Sequence, residues 1–233
     1  MRLMLLSNST SYRGTPLAHA RTEIGAFLSG RRVLFVPFAL ADHDGYTDTV
    51  AQALAPVGVA VTGLHTADDP VGAVASAEAF YVGGGNTFRL LATLQRLGLL
   101  TVLRQRVLDS VPYLAASAGT NLACPTIRTT NDMPIVEPSD FGALALVPFQ
   151  INPHYLDPPS GSRHMGESRE QRVLQFHEEN DVPVLGVREG GWLTRDGDWL
   201  KLTGSSARLF RRGVEPQEVA PGSDLSDLLA AAR

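Results

Sequence analysis

Val111-Pro112-Tyr113-Leu114-Ala115-Ala116-Ser117-Ala118-Gly119-Thr120-Asn121 carries a short apolar run into a single serine set among small residues. The run has strand composition, and the segment after Ser117 has helical potential. On a cramped strand-to-helix turn the neighbours must be small, so that the chain can bend while the hydroxyl projects outward. These letters therefore fit a nucleophile elbow, with Ala115 where the common pattern has its first glycine. They fit equally a tight turn with a helix N-cap serine. On either reading a strand runs straight into a helix, which is the unit of an α/β fold.

Outward from this stretch the same rhythm repeats. Strand composition recurs at residues 3–6, 33–38, 59–64 and 79–82, and helical patterns lie at 19–28, 47–54, 71–77 and 88–97. Alternation of this kind predicts three layers, a mostly parallel sheet with helices on both faces. Ligands of such sheets bind outside the carboxyl ends of the strands. The strand-end loops Ser7-Asn8-Ser9-Thr10, Asp42-His43-Asp44-Gly45 and Gly83-Gly84-Gly85-Asn86 are therefore the places to look. The triple glycine allows close backbone approach to a ligand and can aim free amides at negative charge, one half of an oxyanion hole.

Further along, residues 124–135 are rich in polar groups and prolines with no regular period. Gln150-Ile151-Asn152-Pro153-His154 reads as a short strand ending at a histidine. Ser168-Arg169-Glu170-Gln171 has capping-box spacing and opens a helix to about residue 180. A strand at 184–187 ends in the turn Arg188-Glu189-Gly190-Gly191. A hairpin over 192–194 and 199–202, a strand at 207–210 and a short helix at 225–232 complete the chain.

Composition narrows the function classes. The chain has 233 residues, 44% of them hydrophobic and 19% charged, enough for one sizeable core and a single domain spanning 1–233. A net charge of −4 leaves no electrostatic footprint for nucleic acid. The lone cysteine, Cys124, permits neither an intrachain disulfide nor a cysteine metal site and fits a reducing, cytoplasmic setting. The apolar core of residues 1–8 is too short for a signal peptide or a membrane span and reads as a first strand. No cofactor, metal or membrane partner is expected.

Ser117, His154 and Glu189 each fall at or just past a strand end, so one sheet edge can present all three. A serine becomes nucleophilic near neutral pH when a base stands beside it, and the base needs a third group to fix its tautomer. The order Ser, His, Glu along the chain differs from that of α/β-hydrolases. His43 and His65 also follow strands and compete for the role of base.

The block Ser117-Ala118-Gly119-Thr120-Asn121-Leu122-Ala123-Cys124-Pro125-Thr126-Ile127-Arg128-Thr129-Thr130-Asn131-Asp132-Met133-Pro134-Ile135-Val136 resembles the signature of the S51 serine-peptidase family, the aspartyl dipeptidases of the peptidase E group. Leu6-Ser7-Asn8-Ser9-Thr10, Val82-Gly83-Gly84-Gly85-Asn86-Thr87-Phe88, Gln150-Ile151-Asn152-Pro153-His154 and Gly166-Glu167-Ser168-Arg169-Glu170-Gln171-Arg172 extend the likeness over most of the chain. The resemblance implies a fold like that of class I glutamine amidotransferases, flavodoxin-like in its layers. It implies Ser117 as nucleophile, His154 as general base and acid, Glu189 as orienting partner, and an oxyanion hole from the amides of Gly85 and Ala118. It implies a substrate with an N-terminal aspartate, chiefly a dipeptide. By the same match Asp132, Arg169 and Asn86 are the expected substrate-binding positions, Asp132 for the ammonium and Arg169 for the side-chain carboxylate.

The chain departs from the pattern at Ala115-Ala116, at Thr120 and over 156–165, where a lid affecting peptide length is expected. The alternatives are a carboxypeptidase of the same family, a cyanophycinase-like hydrolase of aspartyl polymers, or a catalytically silent ligand-binding relative. A glutamine amidotransferase would need cysteine at the elbow, and Cys124 comes seven residues too late. The expected assembly is a monomer or small homo-oligomer.

Overall fold

Side-chain alternation along the first strands sets the layers. In β1 (Arg2–Leu6) Leu3 and Leu5 point into one hydrophobic cluster while Met4 and Leu6 point into another on the opposite face. A strand buried on both faces must lie inside a sheet covered twice. The computed structural model, which describes residues 1–157 and 166–230, has that arrangement.

In chain order the elements are β1, α1 (Arg21–Leu28), β2 (Val33–Val36), α2 (His43–Leu54), β3 (Val61–Gly63), α3 (Pro70–Ser76), β4 (Ala79–Val82), α4 (Thr87–Arg96), α5 (Leu100–Leu108), β5 (Tyr113–Ala116), α6 (Ala118–Leu122), β6 (Gln150–Asn152), α7 (Arg169–Glu179), β7 (Val184–Val187), β8 (Trp192–Asp196), β9 (Trp199–Thr203), β10 (Ala207–Arg211), β11 (Val214–Val219) and α8 (Asp227–Ala230). Short 3-10 turns lie between some of them. The main sheet has the order β3-β2-β4-β5-β1-β8-β9. Its first five strands are parallel, and the hairpin β8–β9 adds antiparallel to β1. Helices α1 and α2 cover one face through Ile24, Phe27, Val50 and Leu54, whereas α3, α4 and α5 cover the other through Val74, Leu90, Leu94 and Leu103.

A second sheet, β11-β10-β7-β6, is the main addition to the expected architecture. Its inner face joins the larger core through Ile151, Leu185 and Val187, and α7 packs on its outer face around Tyr155, Val173, Val184 and Phe210. Four residues, 188–191, separate β7 in the second sheet from β8 in the first. That crossover brings the two sheets together.

Several local expectations change. Helix α2 starts at His43, four residues early, because Asp42 accepts from the Gly45 amide at 2.9 Å and caps it. The loop around His43 is thus a helix start, and His65 pairs with Asp44 at 2.9 Å there. Neither α5 nor β11 was expected. The proposed lid at 156–165 falls largely outside the described residues, as do the last two positions of the closing helix. No helix of the described residues is long and apolar enough to cross a membrane.

Candidate active site

Register delivers the reacting groups. Leu6 pairs with Ala116 across β1 and β5, so the chain leaves both strands at the same level and Ser7 emerges beside Ser117. Asn152 pairs with Gly186 across β6 and β7, so His154 and Glu189 leave the second sheet together. The three residues thus come from two sheets, not from one sheet edge. The distances follow: His154 Nε2 is 3.1 Å from Ser117 Oγ, and His154 Nδ1 is 2.7 Å from Glu189 Oε1.

A carboxylate only accepts hydrogen bonds, so Nδ1 carries the hydrogen towards Glu189 and Nε2 keeps its lone pair for the serine hydroxyl. Ser117 stands at the N-terminus of α6, yet its side chain makes no capping bond. The N-cap explanation of this serine therefore fails. Its backbone, at φ 51° and ψ −108°, occupies a region costly for a residue with a Cβ, as elbow geometry demands. His154 also has a φ of 51°. His43 and His65 are away from this group, packed against each other with ring centroids 5.5 Å apart.

Small residues let the backbone close around Ser117. A Cβ on Gly84 would lie 3.1 Å from that of Ser117, and one on Gly119 would lie 2.2 Å from the Val82 carbonyl oxygen. Gly85 has φ +130°, and a Cβ there would lie 2.6 Å from the Ala39 carbonyl oxygen. The first amides of a helix have no intrahelical partner, and Ala118 opens α6. Among the described residues, neither the Ala118 nor the Gly85 amide donates to a backbone carbonyl outside the regular elements.

Around the three side chains opens a cleft of about 830 Å³, lined also by Gly85, Asn121, Asp132, Tyr155, Arg169 and Arg188. Asp132 Oδ2 accepts from the Thr87 amide at 2.8 Å, the Thr87 hydroxyl at 2.5 Å and the Thr130 hydroxyl at 3.0 Å. None of these bonds uses Oδ1. Arg169 is half-buried, and burial lowers its guanidinium from the ordinary value, with Arg172 adding to the effect and Asp132 opposing it. An arginine nevertheless stays charged. It makes no ion pair among the described residues.

The other arginine among the described residues of the cleft is occupied. Arg188 holds Asp157 through Nε at 2.8 Å and Glu218 through both terminal nitrogens at 2.6 and 3.1 Å. These bonds to Asp157 and Glu218 raise Arg188 above its ordinary range and hold both carboxyls below theirs.

Asn86 is not brought into the cleft. Its Oδ1 accepts from the Arg89 amide at 3.0 Å, capping α4, and its Nδ2 donates to the Met133 carbonyl at 2.8 Å. Through these two bonds the amide ties the start of α4 to the loop that carries Asp132. Cys124 is buried and takes a bond from the Ile151 amide, and burial pushes its thiol up to about 12. Sequence reasoning gave no role to Ser7 or Asn8, though both lie in a strand-end loop it had singled out. Ser7 accepts from the His154 amide and Asn8 from the Gly190 amide.

A profile of Peptidase family S51 matches residues 3–203. Peptidase E of Streptomyces coelicolor is 58% identical over 231 residues, covering 98% of this chain and 95% of its own. A Drosophila melanogaster protein named "Probable alpha-aspartyl dipeptidase" is 48% identical over 232 residues, 97% of each chain. The crystal structure of a peptidase from an acI-B1 Actinobacterium superposes with a TM-score of 0.69 at 16% identity, covering 96% of each chain, a likeness of fold.

Proposed function

The chain belongs to peptidase family S51, and from that membership we propose that it removes an N-terminal aspartate from short peptides, chiefly dipeptides, with Ser117 as nucleophile, His154 as base and Glu189 as its orienting partner. The observation that carries this reading is the pair of contacts made by one imidazole, 3.1 Å to Ser117 Oγ and 2.7 Å to Glu189. Ser117 Oγ adds to the peptide carbonyl carbon while His154 Nε2 takes its proton, and Glu189 stabilises the imidazolium. The oxyanion rests on the amides of Gly85 and Ala118. His154 then protonates the departing amine as the C–N bond breaks. Water, deprotonated by the same nitrogen, hydrolyses the aspartyl ester and returns Ser117.

Specificity rests on the two polar walls of the cleft. A free aspartyl N-terminus brings an ammonium and a carboxylate. Asp132, whose Oδ1 has no hydrogen-bond partner among the described residues, takes the first, and Arg169 takes the second. Arg188 is excluded as the reader of the carboxylate because Asp157 and Glu218 already neutralise it. Asn86 supports Asp132 from behind. The chain is read as one catalytic domain, cytoplasmic, acting as a monomer or small homo-oligomer, which light scattering tests directly.

The decisive experiment is Ser117→Ala assayed with aspartyl-leucine and with an aspartyl anilide. Turnover should vanish while circular dichroism is unchanged. Near-normal turnover would sink the assignment. A panel of Asp-X, X-Asp and longer peptides separates an aspartyl dipeptidase from a carboxypeptidase or a polymer hydrolase.

A further inference from the structure

Three consecutive residues at the carboxyl end of β1 each hold one part of the proposed triad. The Leu6 carbonyl accepts from the Ser117 amide at 3.1 Å and from the Thr120 hydroxyl at 2.7 Å. The Ser7 hydroxyl accepts from the His154 amide at 2.8 Å and donates to the Val187 carbonyl at 2.8 Å. The Asn8 side chain accepts from the amide of Gly190, next to Glu189, at 2.7 Å. Ser7 and Asn8 are both fully buried.

We propose that Ser7 is a positioning residue that sets the reach of His154 to Ser117. The inference rests on the triad reading above and extends it to a residue that does not line the cleft. Its logic is geometric. Ser117 rides on the main sheet, His154 and Glu189 on the second, and Ser7 is the hydroxyl that bonds across the junction to both β-strands flanking the imidazole, at the His154 amide just past β6 and at the last residue of β7.

A hydroxyl is required because one atom must accept from an N–H and donate to a carbonyl at once, which alanine cannot do and a thiol does only weakly. The anchoring matters at His154 because a backbone with φ 51° persists only where its surroundings over-determine it. Released from Ser7, the residue can relax towards an ordinary φ and carry its ring away from Ser117. A misplacement of about 1 Å in a reacting geometry costs on the order of 10²-fold in rate. Because Ser7 does not touch the cleft, the loss should fall on kcat and leave KM alone.

The test compares Ser7→Ala and Ser7→Cys with the parent on aspartyl-leucine, with Ser117→Ala alongside. The expected result for Ser7→Ala is a fall in kcat of roughly 10- to 100-fold with KM within about twofold. The low-field proton resonance of the His154–Glu189 bond should broaden or disappear in the same variant. Should Ser7→Ala fail to fold, Ser7→Cys, which nearly conserves volume, provides the same reading and should show the same kcat loss. A folded Ser7→Ala or Ser7→Cys with parental kcat and an unchanged low-field resonance overturns the proposal, as does a loss carried by KM alone. Turnover surviving Ser117→Ala overturns the triad instead, a separate outcome.

Discussion

His154 Nε2 reaches Ser117 Oγ at 3.1 Å across the junction of two sheets, and both residues hold the same φ of 51°. Each such backbone costs about 1–3 kcal/mol against a relaxed one. Two of them meeting at one contact mark the point where the fold spends stability on geometry. Ser117 is strained because the strand must turn into α6 within one residue. His154 is strained because the chain must turn after Pro153 to face the other sheet.

Gly85→Ala is expected to lower kcat by about 10²–10³-fold, the usual consequence of losing one oxyanion donor. Two effects combine at this position, since φ is +130° and the added Cβ would lie 2.6 Å from the Ala39 carbonyl. The loop must move, and the amide moves with it. Steady-state kinetics on an aspartyl anilide checks this, and a kcat within threefold of the parent would remove Gly85 from the oxyanion hole.

Arg169→Ala should separate substrates. Arg188 is bound to two carboxylates, so among the described residues lining the cleft Arg169 is the cation proposed to read an acidic side chain. Removing it should lower kcat/KM for aspartyl-leucine by about 10²-fold, or about 2.7 kcal/mol of transition-state stabilisation. The rate on alanyl-leucine should change by less than about threefold. An equal loss on both substrates would show that Arg169 does not read the aspartyl carboxylate.

Acid stability should depend on Arg188. Its hydrogen bonds hold the Asp157 and Glu218 carboxyls below their ordinary values in the folded chain, so their contribution is complete above the unfolded values of about 4 and is lost as pH falls through the depressed ones. Both carboxylates are about half exposed, and screening keeps the contribution near 1 kcal/mol. Arg188→Met should therefore lower Tm by about 2–4 °C at pH 7. The gap should begin to narrow below about pH 4 and close as the folded carboxyls protonate at their depressed values. Scanning calorimetry at pH 7, 5 and 3 reads it, and a gap that stays constant with pH contradicts the ionic account.

Much of this was legible in the sequence because strand and cap signals are local. Residues 79–82, 184–187 and the Ser168–Gln171 capping box appear where the letters put them, the box with both of its bonds formed. What escaped has physical reasons. Helix α5 has Leu99 at its N-cap, with no side-chain cap bond, so no residue announces it. Strand β11 contains a proline and is mostly exposed, the composition of an edge strand rather than a core one. The second sheet was hidden because its members look like any other short apolar run, and only long-range pairing assigns them to a separate sheet. Asn86 reads two ways for a related reason: an asparagine after a glycine loop is as good a helix cap as a ligand, and here its side chain caps α4.

Gly119→Ala tests whether the elbow is held by packing instead of by backbone freedom. Gly119 has no left-handed φ, so alanine would ordinarily be welcome in a helix. The obstacle is space. An added Cβ would lie 2.2 Å from the carbonyl oxygen of Val82 in β4, a backbone atom fixed by its own sheet. Helix α6 must then lift from β4, carrying the Ala118 amide and Ser117 with it. Overpacking of this kind costs about 1–3 kcal/mol, so Tm should fall by several degrees. At temperatures where the variant is fully folded, kcat should still fall by at least about tenfold, because the displaced groups are the proposed nucleophile and oxyanion donor. A variant that loses stability and keeps full kcat would mean that α6 can shift without disturbing the elbow.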